Sequence, residues 1–462
     1  MRRPDAARWR VKPFMPIRHI DWKQRGKGRE GSGYWDLTET VLSSFPLISD
    51  FGRATARLTE NARILRDIPV EDLVEFFDTA SRRVAGETAP GQGLPPGFVY
   101  LVSFLGKPNL NRLLQAALNG NPGHLNGFLR MENLGKRLYA LPCGIITHWL
   151  AGNVPSLGMI SLVQGLLTKN ANIVKLPRRT GLALPDFFSK IAGIEMRLGN
   201  GRILSGRILA DSVLFVYCDP SDTDAQRQLS LASDVRLAWG GWDAINALRG
   251  LPTKTGAEDV FFGPRHSLAI VGRDSISASD PGTLVDKLAA DASFFDQHGC
   301  NSPHTVFVER GGAMTPLDFA RRLAPAMEKA LRRIPKGLTG AGEAYQIAAV
   351  RTEYAAAGEV FASKGTEWTV VYSEEKGLAR PLGARVVFVR PVDDVEDVLG
   401  WLSPDVQTIG LALQEPRRTS FALHAAHRGI SRITPIGAMS LYDYPWDGLF
   451  PMERLVRWVS LD

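Results

Sequence analysis

The chain has 462 residues, of which 44% are hydrophobic and 22% are charged, which is typical of a globular protein too long for one small core. No run of about 18 or more apolar residues is present, so we expect no membrane span. Residues 1–30 hold ten Arg or Lys against three Asp or Glu and thereby account for the whole net charge of +7. This argues against a nucleic-acid-binding protein, which needs a basic face on its folded body.

The basic start of the chain is expected to be a flexible tail over residues 1–35. A docking arm for an anionic partner, such as an acyl-carrier protein, is the alternative interpretation. The segment lacks the apolar stretch of a secretory signal. The three cysteines, Cys143, Cys218 and Cys300, are too far apart for a disulfide framework or metal pairs, so we expect a cytoplasmic protein.

Residues 37–135 predict mainly helix, with amphipathic stretches at Val70–Val84 and Phe98–Leu118. From about residue 140 the pattern changes to short apolar or β-branched runs that alternate with helical segments. The elements predicted in this first set are the strands Gly144–Thr147, Asn172–Leu176, Ser212–Tyr217 and Asp234–Ala238, the helix Ser156–Leu167, and the turn Trp239-Gly240-Gly241 before another helix.

A second set of alternating elements follows. Its predicted members are the strands Ser267–Val271, Thr305–Glu309, Thr369–Tyr372, Val386–Val389 and Thr408–Leu413, and the helix Pro316–Arg333. Strands that alternate with helices indicate parallel βαβ units. Two such sets predict two α/β domains with a cleft between them, where a small ligand would bind.

Cys300 is the first candidate for chemistry. No metal-protease, P-loop or serine-nucleophile motif occurs, which leaves a metal-free cysteine enzyme or a non-enzymatic binding protein. Cys300 lies in the polar loop FFDQHGCNSP, just before a predicted strand, whereas Cys218 lies in an apolar run that indicates packing. Backbone N–H donors can lower the pKa of a loop cysteine and make it a nucleophile, although most single cysteines are inert.

Asn153 is the second candidate. It follows the first predicted strand and precedes a helix, so its side-chain amide can project into a cleft. The other interpretation is a cap for that helix.

Five blocks of sequence carry a resemblance that covers the chain from about residue 40 to its end. They are residues 147–177, the stretch FGPRHSLAIV at 262–271, the Cys300 loop with NSP, QTIGLAL at 407–413, and RGISRITPIGAMS with PWDG at 428–448. These blocks resemble the aldehyde dehydrogenase superfamily and, within it, the long-chain acyl-CoA reductase family of LuxC type. The resemblance implies an α/β fold of two Rossmann-type, three-layer domains with a cleft between them.

The resemblance also implies roles for single residues. Cys300 matches the nucleophile that takes an acyl group from a thioester, and Asn153 matches the donor that forms the oxyanion hole with the backbone N–H of Cys300. Lys175 matches the lysine at the adenosine ribose. Arg178 and Arg179 stand near the position where the superfamily usually has a carboxylate, and positive charge there favours NADPH.

Gly240 and Gly241 occupy the place of the turn over the cofactor pyrophosphate, before a helix whose N-terminus can receive it. Two departures from the superfamily stand out. The general-base glutamate has no counterpart in residues 261–266, and the glutamate at the nicotinamide ribose is not visible in residues 380–384. Loss of the base fits an enzyme that must avoid hydrolysing its acyl group. His266 could serve as acid or base or be structural, and His298 and His304 flank Cys300.

The sequence therefore predicts a tail at 1–35, a cofactor-binding domain at 36–262, a catalytic domain at 263–440 and a C-terminal segment at 441–462 in contact with another subunit. The expected reaction is NADPH-dependent reduction of an acyl thioester to an aldehyde. The acyl donor would be acyl-CoA, an acyl carrier or an acyl-protein synthetase, and the enzyme a dimer or tetramer. The alternatives are a CoA-acylating aldehyde dehydrogenase working oxidatively, a cysteine acyltransferase or hydrolase, and a non-catalytic scaffold for an acyl-activating partner.

Overall fold

The structure is a computed structural model that describes residues 9–11, 37, 47–48, 50–87, 98–179, 181–278 and 281–462. These residues form two compact units. The first comprises the described residues up to Gly263 together with Phe450–Asp462, and the second is Pro264–Leu449. The sequence analysis set residues 441–462 apart, but in the structure they are divided between the two units.

The α-helices of the described residues are numbered in chain order. They are α1 Phe51–Arg66, α2 Val70–Glu87, α3 Phe98–Phe104, α4 Lys107–Ala117, α5 Pro155–Leu167, α6 Ala183–Ala192, α7 Gly206–Asp211, α8 Thr223–Ala232, α9 Trp242–Arg249, α10 Arg273–Ala278, α11 Pro281–Ser293, α12 Pro316–Arg333, α13 Ala341–Ala357 and α14 Arg417–His427. Short 3-10 helices cover Pro122–Leu125, Phe294–Gln297, Val395–Trp401 and Pro451–Leu455.

The strands are numbered in the same way. They are β1 Trp9–Val11, β2 Leu47–Ile48, β3 Leu129–Met131, β4 Lys136–Pro142, β5 Ile145–Trp149, β6 Ala171–Lys175, β7 Glu195–Arg197, β8 Ile203–Ser205, β9 Val213–Tyr217, β10 Val235–Trp239, β11 Glu258–Phe262, β12 His266–Val271, β13 Pro303–Glu309, β14 Glu359–Ala362, β15 Thr369–Tyr372, β16 Val386–Val392, β17 Val406–Ala412, β18 Arg432–Pro435 and β19 Val456–Leu461.

The first unit is built on a seven-stranded sheet in the order β11-β10-β5-β6-β9-β1-β2. Its central strands pair in parallel, and β1 and β2 add an antiparallel edge. Helices α1 and α8 cover one face with Ile173, Val216 and Cys218. On the other face, His148 is fully buried: its Nδ1 lies 2.7 Å from Ser161 Oγ of α5, and its Nε2 lies 3.0 Å from Asn172 Oδ1 of β6.

The second unit is built on a seven-stranded sheet in the order β14-β15-β16-β13-β12-β17-β18, parallel except for β14. Successive residues of β12 face opposite layers, as period-two strands must. Ala269 and Val271 pack with α11 and α12, whereas Leu268 and Ile270 pack with α14. Helices on both faces of each sheet confirm the predicted pair of three-layer α/β units.

Three differences from the predicted elements have physical causes. The single predicted helix Phe98–Leu118 is wrong. A new helix begins at Lys107 with Gly106 as its cap, because Pro108 has no N–H to continue the preceding helix and fits only in the first turn of a helix. Within the predicted flexible tail, β1 pairs with β2 and β9, whose edge offers it free backbone groups; residues 1–8 and 12–35 lie outside the described residues. A three-stranded sheet, β19-β4-β3, was not predicted.

Candidate active site

The two predicted cofactor-binding segments, at Lys175 and at Gly240, lie at the carboxyl ends of parallel strands in the first unit, as does Asn153. The order β10-β5-β6-β9 places the earliest parallel strand, β5, between β6 and β10, so the strand order reverses beside β5. In open α/β sheets, ligands bind outside the carboxyl ends of the strands at such a point. The turns that leave β5, β6, β9 and β10 all lie at that edge.

Lys175 and Arg178 lie at and just after the carboxyl end of β6. Lys175 ends β6, lies opposite Trp149 of β5 and Val216 of β9, and is half-buried, while Arg178 is exposed. Both cations act on the exposed Asp219, which follows β9. The hydroxyl and backbone N–H of Ser221 first lower the pKa of that carboxyl, and Arg178 and Lys175 add to the effect. The sequence analysis missed Asp219.

Asn153 lies exposed in the turn between β5 and α5. The cap residue of α5 is Val154, which makes no side-chain cap bond, so the cap interpretation of Asn153 does not describe this helix. The turn needs a glycine at position 152, because a Cβ on Gly152 would meet the carbonyl oxygen of Arg179 at 2.9 Å.

Gly240 and Gly241 form the turn between β10 and α9. The N–H of Gly240 donates to Phe262 O at 3.1 Å. A Cβ on Gly241 would meet nothing within 4 Å, and Gly241 caps α9 without a side-chain hydrogen bond. The turn therefore leaves open space above helix N–H groups that no side chain caps, as an anion site requires.

In the second unit, Cys300 lies in the turn just before β13. Three consecutive residues upstream, Phe295, Asp296 and Gln297, have φ of 53°, 51° and 65°, a left-handed backbone that non-glycine residues rarely adopt. Gln297 holds them in place: its amide donates to Pro303 O at 2.7 Å and Val386 O at 2.9 Å, and its oxygen accepts from Val386 N at 2.8 Å.

The backbone carbonyl of Cys300 and the side chain of the next residue, Asn301, are held by hydrogen bonds as well. Ser267 Oγ donates to Cys300 O at 2.6 Å and accepts from Thr408 N at 3.1 Å, which is possible because the β12 register shifts at Ser267. Asn301 Nδ2 donates to Met439 O at 2.8 Å. The backbone around Met439 is bound in turn by the buried Asp291 of α11, which accepts from Gly437 N at 2.5 Å.

The thiol of Cys300 is not acidic in this setting. Burial, and after it the negative charge of Asp447, raise its pKa to about 12. A hydrogen bond from the Gln407 side chain and the charge of Arg265 act in the opposite direction. The expectation of a lowered pKa is therefore wrong, because desolvation of the thiolate exceeds the effect of the surrounding donors.

Three histidines, His266, His298 and His304, lie near enough to one another for their charges to interact. His266 begins β12, and burial lowers its pKa, while Asp405 raises it. His304 on β13 is 6% exposed, and burial, with the charges of His266 and His298, lowers its pKa to about 4. His298 Nε2 lies 3.1 Å from Glu343 Oε1. The neutral imidazole of His266 is thus available as a proton acceptor.

Comparison with known proteins shows which family the chain belongs to. A family model described as acyl-CoA reductase (LuxC) matches residues 69–458. The chain belongs to the LuxC acyl-CoA reductase family.

Relatives of this LuxC-family chain include a long-chain acyl-protein thioester reductase from Aliivibrio fischeri, 28% identical over 327 residues. A second such reductase, from Photobacterium leiognathi, is 26% identical over 328 residues. Each alignment covers 70% of this chain and 64% of the relative's length.

Solved structures give the fold. Lactaldehyde dehydrogenase from Escherichia coli matches with a TM-score of 0.59 at 15% identity, covering 88% of this chain and 90% of that one. An NAD-dependent aldehyde dehydrogenase from Burkholderia multivorans matches with a TM-score of 0.58 at 15% identity, covering 88% and 82%. The predicted aldehyde dehydrogenase-like fold is confirmed.

Three residues that act on Cys300 in this LuxC-family chain were not among the predicted site residues: Arg265, Gln407 and Asp447. The blocks that contain them carried the family resemblance, but nothing in one sequence assigns them a role. Among the described residues, no helix is long and apolar enough to cross a membrane, and no His, Cys, Asp or Glu group could hold a metal ion.

Proposed function

We propose that the protein reduces an acyl thioester to an aldehyde with NADPH, through an acyl group carried on Cys300. The observation that carries the proposal is the Cys300 turn, in which hydrogen bonds hold the backbone carbonyl of Cys300 and the side chain of Asn301 just before β13. A cysteine with only a packing role needs no such turn. Membership of the LuxC family supports the same reaction.

Cys300 attacks the acyl carbon of the donor. Its sulfur forms a bond to that carbon, the bond to the carrier's sulfur breaks, and the carrier leaves as a thiol. Since burial keeps Cys300 protonated, the attack needs a proton acceptor. We assign this role to His266, whose lowered pKa leaves its imidazole neutral.

The first unit provides the cofactor site in this proposal. The open turn at Gly240 and Gly241 faces the uncapped start of α9 and suits a pyrophosphate. Lys175 and Arg178 suit the ribose and its 2′-phosphate, which favours NADPH over NADH. When bound, NADPH supplies the hydride that converts the acyl group on Cys300 to the level of an aldehyde.

Asn153 donates its amide to the developing oxyanion, with the backbone N–H of Cys300 as the second donor. Loss of one such donor typically costs about 10²–10³ in rate. Residues 261–266 contain no glutamate, so this segment has no carboxylate to activate water against the acyl group. The acyl group is therefore retained until it is reduced.

The acyl donor in this proposal is acyl-CoA or an acyl carrier or synthetase, and the enzyme works as a dimer or tetramer in the reducing cytoplasm. All three cysteines are free, which suits a nucleophilic thiol in a reducing compartment. The relatives' names, acyl-protein thioester reductases, favour a protein-bound donor.

The test follows NADPH absorbance at 340 nm with a series of fatty acyl-CoA donors. Three proteins are compared: the wild type, Cys300→Ala, and Cys143→Ala, which removes a half-buried cysteine of the first unit. We expect turnover in the wild type and Cys143→Ala and none in Cys300→Ala. An acylated Cys300 in mass spectrometry without turnover would point to another cofactor or donor, and NAD-linked oxidation of aldehyde with CoA would favour the oxidative alternative. A Cys300 neither acylated nor required would refute the proposal and favour a scaffold.

A further inference from the structure

The two ends of the segment that carries Cys300 are tied to one turn, residues 437–441, which follows β18 and is called the anchor turn below. The first tie comes from Asp291 of α11. Its carboxylate accepts from Gly437 N at 2.5 Å and from Ser440 N at 3.5 Å. A single buried carboxylate therefore binds two N–H groups of the anchor turn.

The second tie comes from the residue that follows the nucleophile. Asn301 is 5% exposed, and its Nδ2 donates to Met439 O of the anchor turn at 2.8 Å. The left-handed backbone of 295–297 lies between the two ties. A displacement of the anchor turn would therefore shift both ends of the segment at once.

The carbonyl groups of the anchor turn are bound by a cation. Arg432 of β18 donates through Nη1 to Met439 O at 2.8 Å, and through Nη2 to Ala438 O at 3.0 Å and Leu441 O at 2.8 Å. Met439 also lies over Gly410 of β17, where a Cβ would meet its sulfur at 2.3 Å. An anion on the N–H groups and a cation on the carbonyl groups leave the turn little freedom to move.

The charge of Asp291 is unfavourable for stability at this place. The residue is 1% exposed, and burial raises the pKa of its carboxyl to about 6, so the carboxylate form predominates at pH 8. A buried charge costs free energy that an apolar side chain of similar size does not. Packing alone needs no charge here, whereas a carboxylate can accept hydrogen bonds from several N–H groups of one turn. The carboxylate therefore suits a residue that fixes the geometry of the turn.

We propose that Asp291 is a positioning residue for Cys300: it fixes the anchor turn, and the anchor turn fixes Asn301 and with it the backbone that carries the nucleophile. The inference rests on the proposed function for its place in the reaction, in which the Cys300 sulfur bonds to the acyl carbon and the carrier leaves as a thiol. The reacting atoms must approach within about 3–3.5 Å, and a misplacement of about 1 Å can cost about 100-fold in rate. Asp291 acts on these atoms only through the two ties.

The test compares the wild type, Asp291→Asn, Asn301→Ala and the double variant at pH 8. Asp286→Asn, which removes a carboxylate of the same helix that pairs with Lys329, is the matched control and should behave as the wild type. Acylation of Cys300 by dodecanoyl-CoA without NADPH is followed by mass spectrometry. Labelling of Cys300 by iodoacetamide, which needs no acyl chemistry, is measured in the same way, and the urea midpoint of each protein is recorded.

Asp291→Asn and Asn301→Ala should each slow acylation about 10- to 100-fold and speed iodoacetamide labelling several-fold, because a displaced turn misplaces the sulfur and exposes it to water. The double variant should change no further than the more affected single variant, since both residues act through one turn. Effects that multiply in the double variant would overturn the inference. A lower urea midpoint with unchanged acylation and labelling, the result of a purely structural role, would overturn it as well. If the wild type is not acylated, the proposed function fails, and the labelling rates alone decide the inference.

Discussion

Gln297→Leu is the substitution that should most directly disturb the turn that holds Cys300. The change keeps a side chain of similar size but removes every hydrogen bond that the amide makes beneath the left-handed backbone of 295–297. Gln297 is 1% exposed, so water cannot replace those bonds. We expect the second unit to lose stability and the turn before Cys300 to lose its fixed geometry.

The expected loss of stability follows from the hydrogen-bond partners of Gln297. Pro303 O and Val386 O each lose a donor, whereas Val386 N keeps a second acceptor, Gly383 O, at 3.1 Å. An orphaned buried polar group costs about 1–3 kcal/mol, so two of them predict a loss of about 2–6 kcal/mol. This is a large part of the roughly 5–15 kcal/mol that stabilises a typical domain.

The assay is equilibrium unfolding in urea, followed by tryptophan fluorescence and read for the transition of the second unit. With a slope of roughly 2 kcal/mol per molar urea, the midpoint should fall by about 1–3 M. Gln346→Leu on exposed α13 is the matched control and should leave the midpoint in place. If the two variants unfold together, the hydrogen bonds of Gln297 do not stabilise the turn, and our reasoning about the support of Cys300 is wrong.

Three further outcomes are expected. Asp219→Asn removes negative charge beside Lys175 and Arg178 and should tighten NADPH binding about two- to fivefold with little change for NADH, as measured by fluorescence titration. Burial raises the pKa of Asp291 to about 6, so its contribution to stability is fully present below about pH 4 and is lost as the pH rises through 6. The free energy of unfolding of the wild type relative to Asp291→Asn, from urea titrations, should therefore fall across that window by about 3 kcal/mol in total. Burial lowers the pKa of His148 to about 4, so its contribution is present above about pH 6.5 and is lost towards pH 4, and His148→Gln should flatten the acid limb of unfolding in the first unit.

The helices and strands that have clear sequence signals at their own ends could be predicted from the local sequence alone. Helix α12 matches its predicted bounds, because Thr315 caps it, Pro316 opens it and basic residues end it. The parallel strands were recognisable as short apolar runs between helices, and β15 has the predicted limits. The three-stranded sheet was not predictable, because β4 finds its partner β19 only in the tertiary structure.

The residues of the candidate site also fall into two groups, those with a local sequence signal and those that only the tertiary structure brings together. Cys300, Asn153, Lys175 and the two glycines each stand in a local pattern or a block of family resemblance. Gln407 and Asp447 come from segments far apart in the chain, and their hydrogen bond depends on how β17 and the residues after β18 are arranged. The acidity of the cysteine could not be predicted for the same reason, since burial, which no single position reveals, sets its direction.

The pairing of β4 with β19 has a consequence for how the protein is made. These two strands belong to one unit, yet the whole second unit is encoded between them. On the ribosome, β4 therefore emerges long before its partner, and Pro264–Leu449 can complete their own sheet first. We expect the first unit to be the later one to mature during synthesis. Substitutions in β19 should slow its maturation without changing that of the second unit.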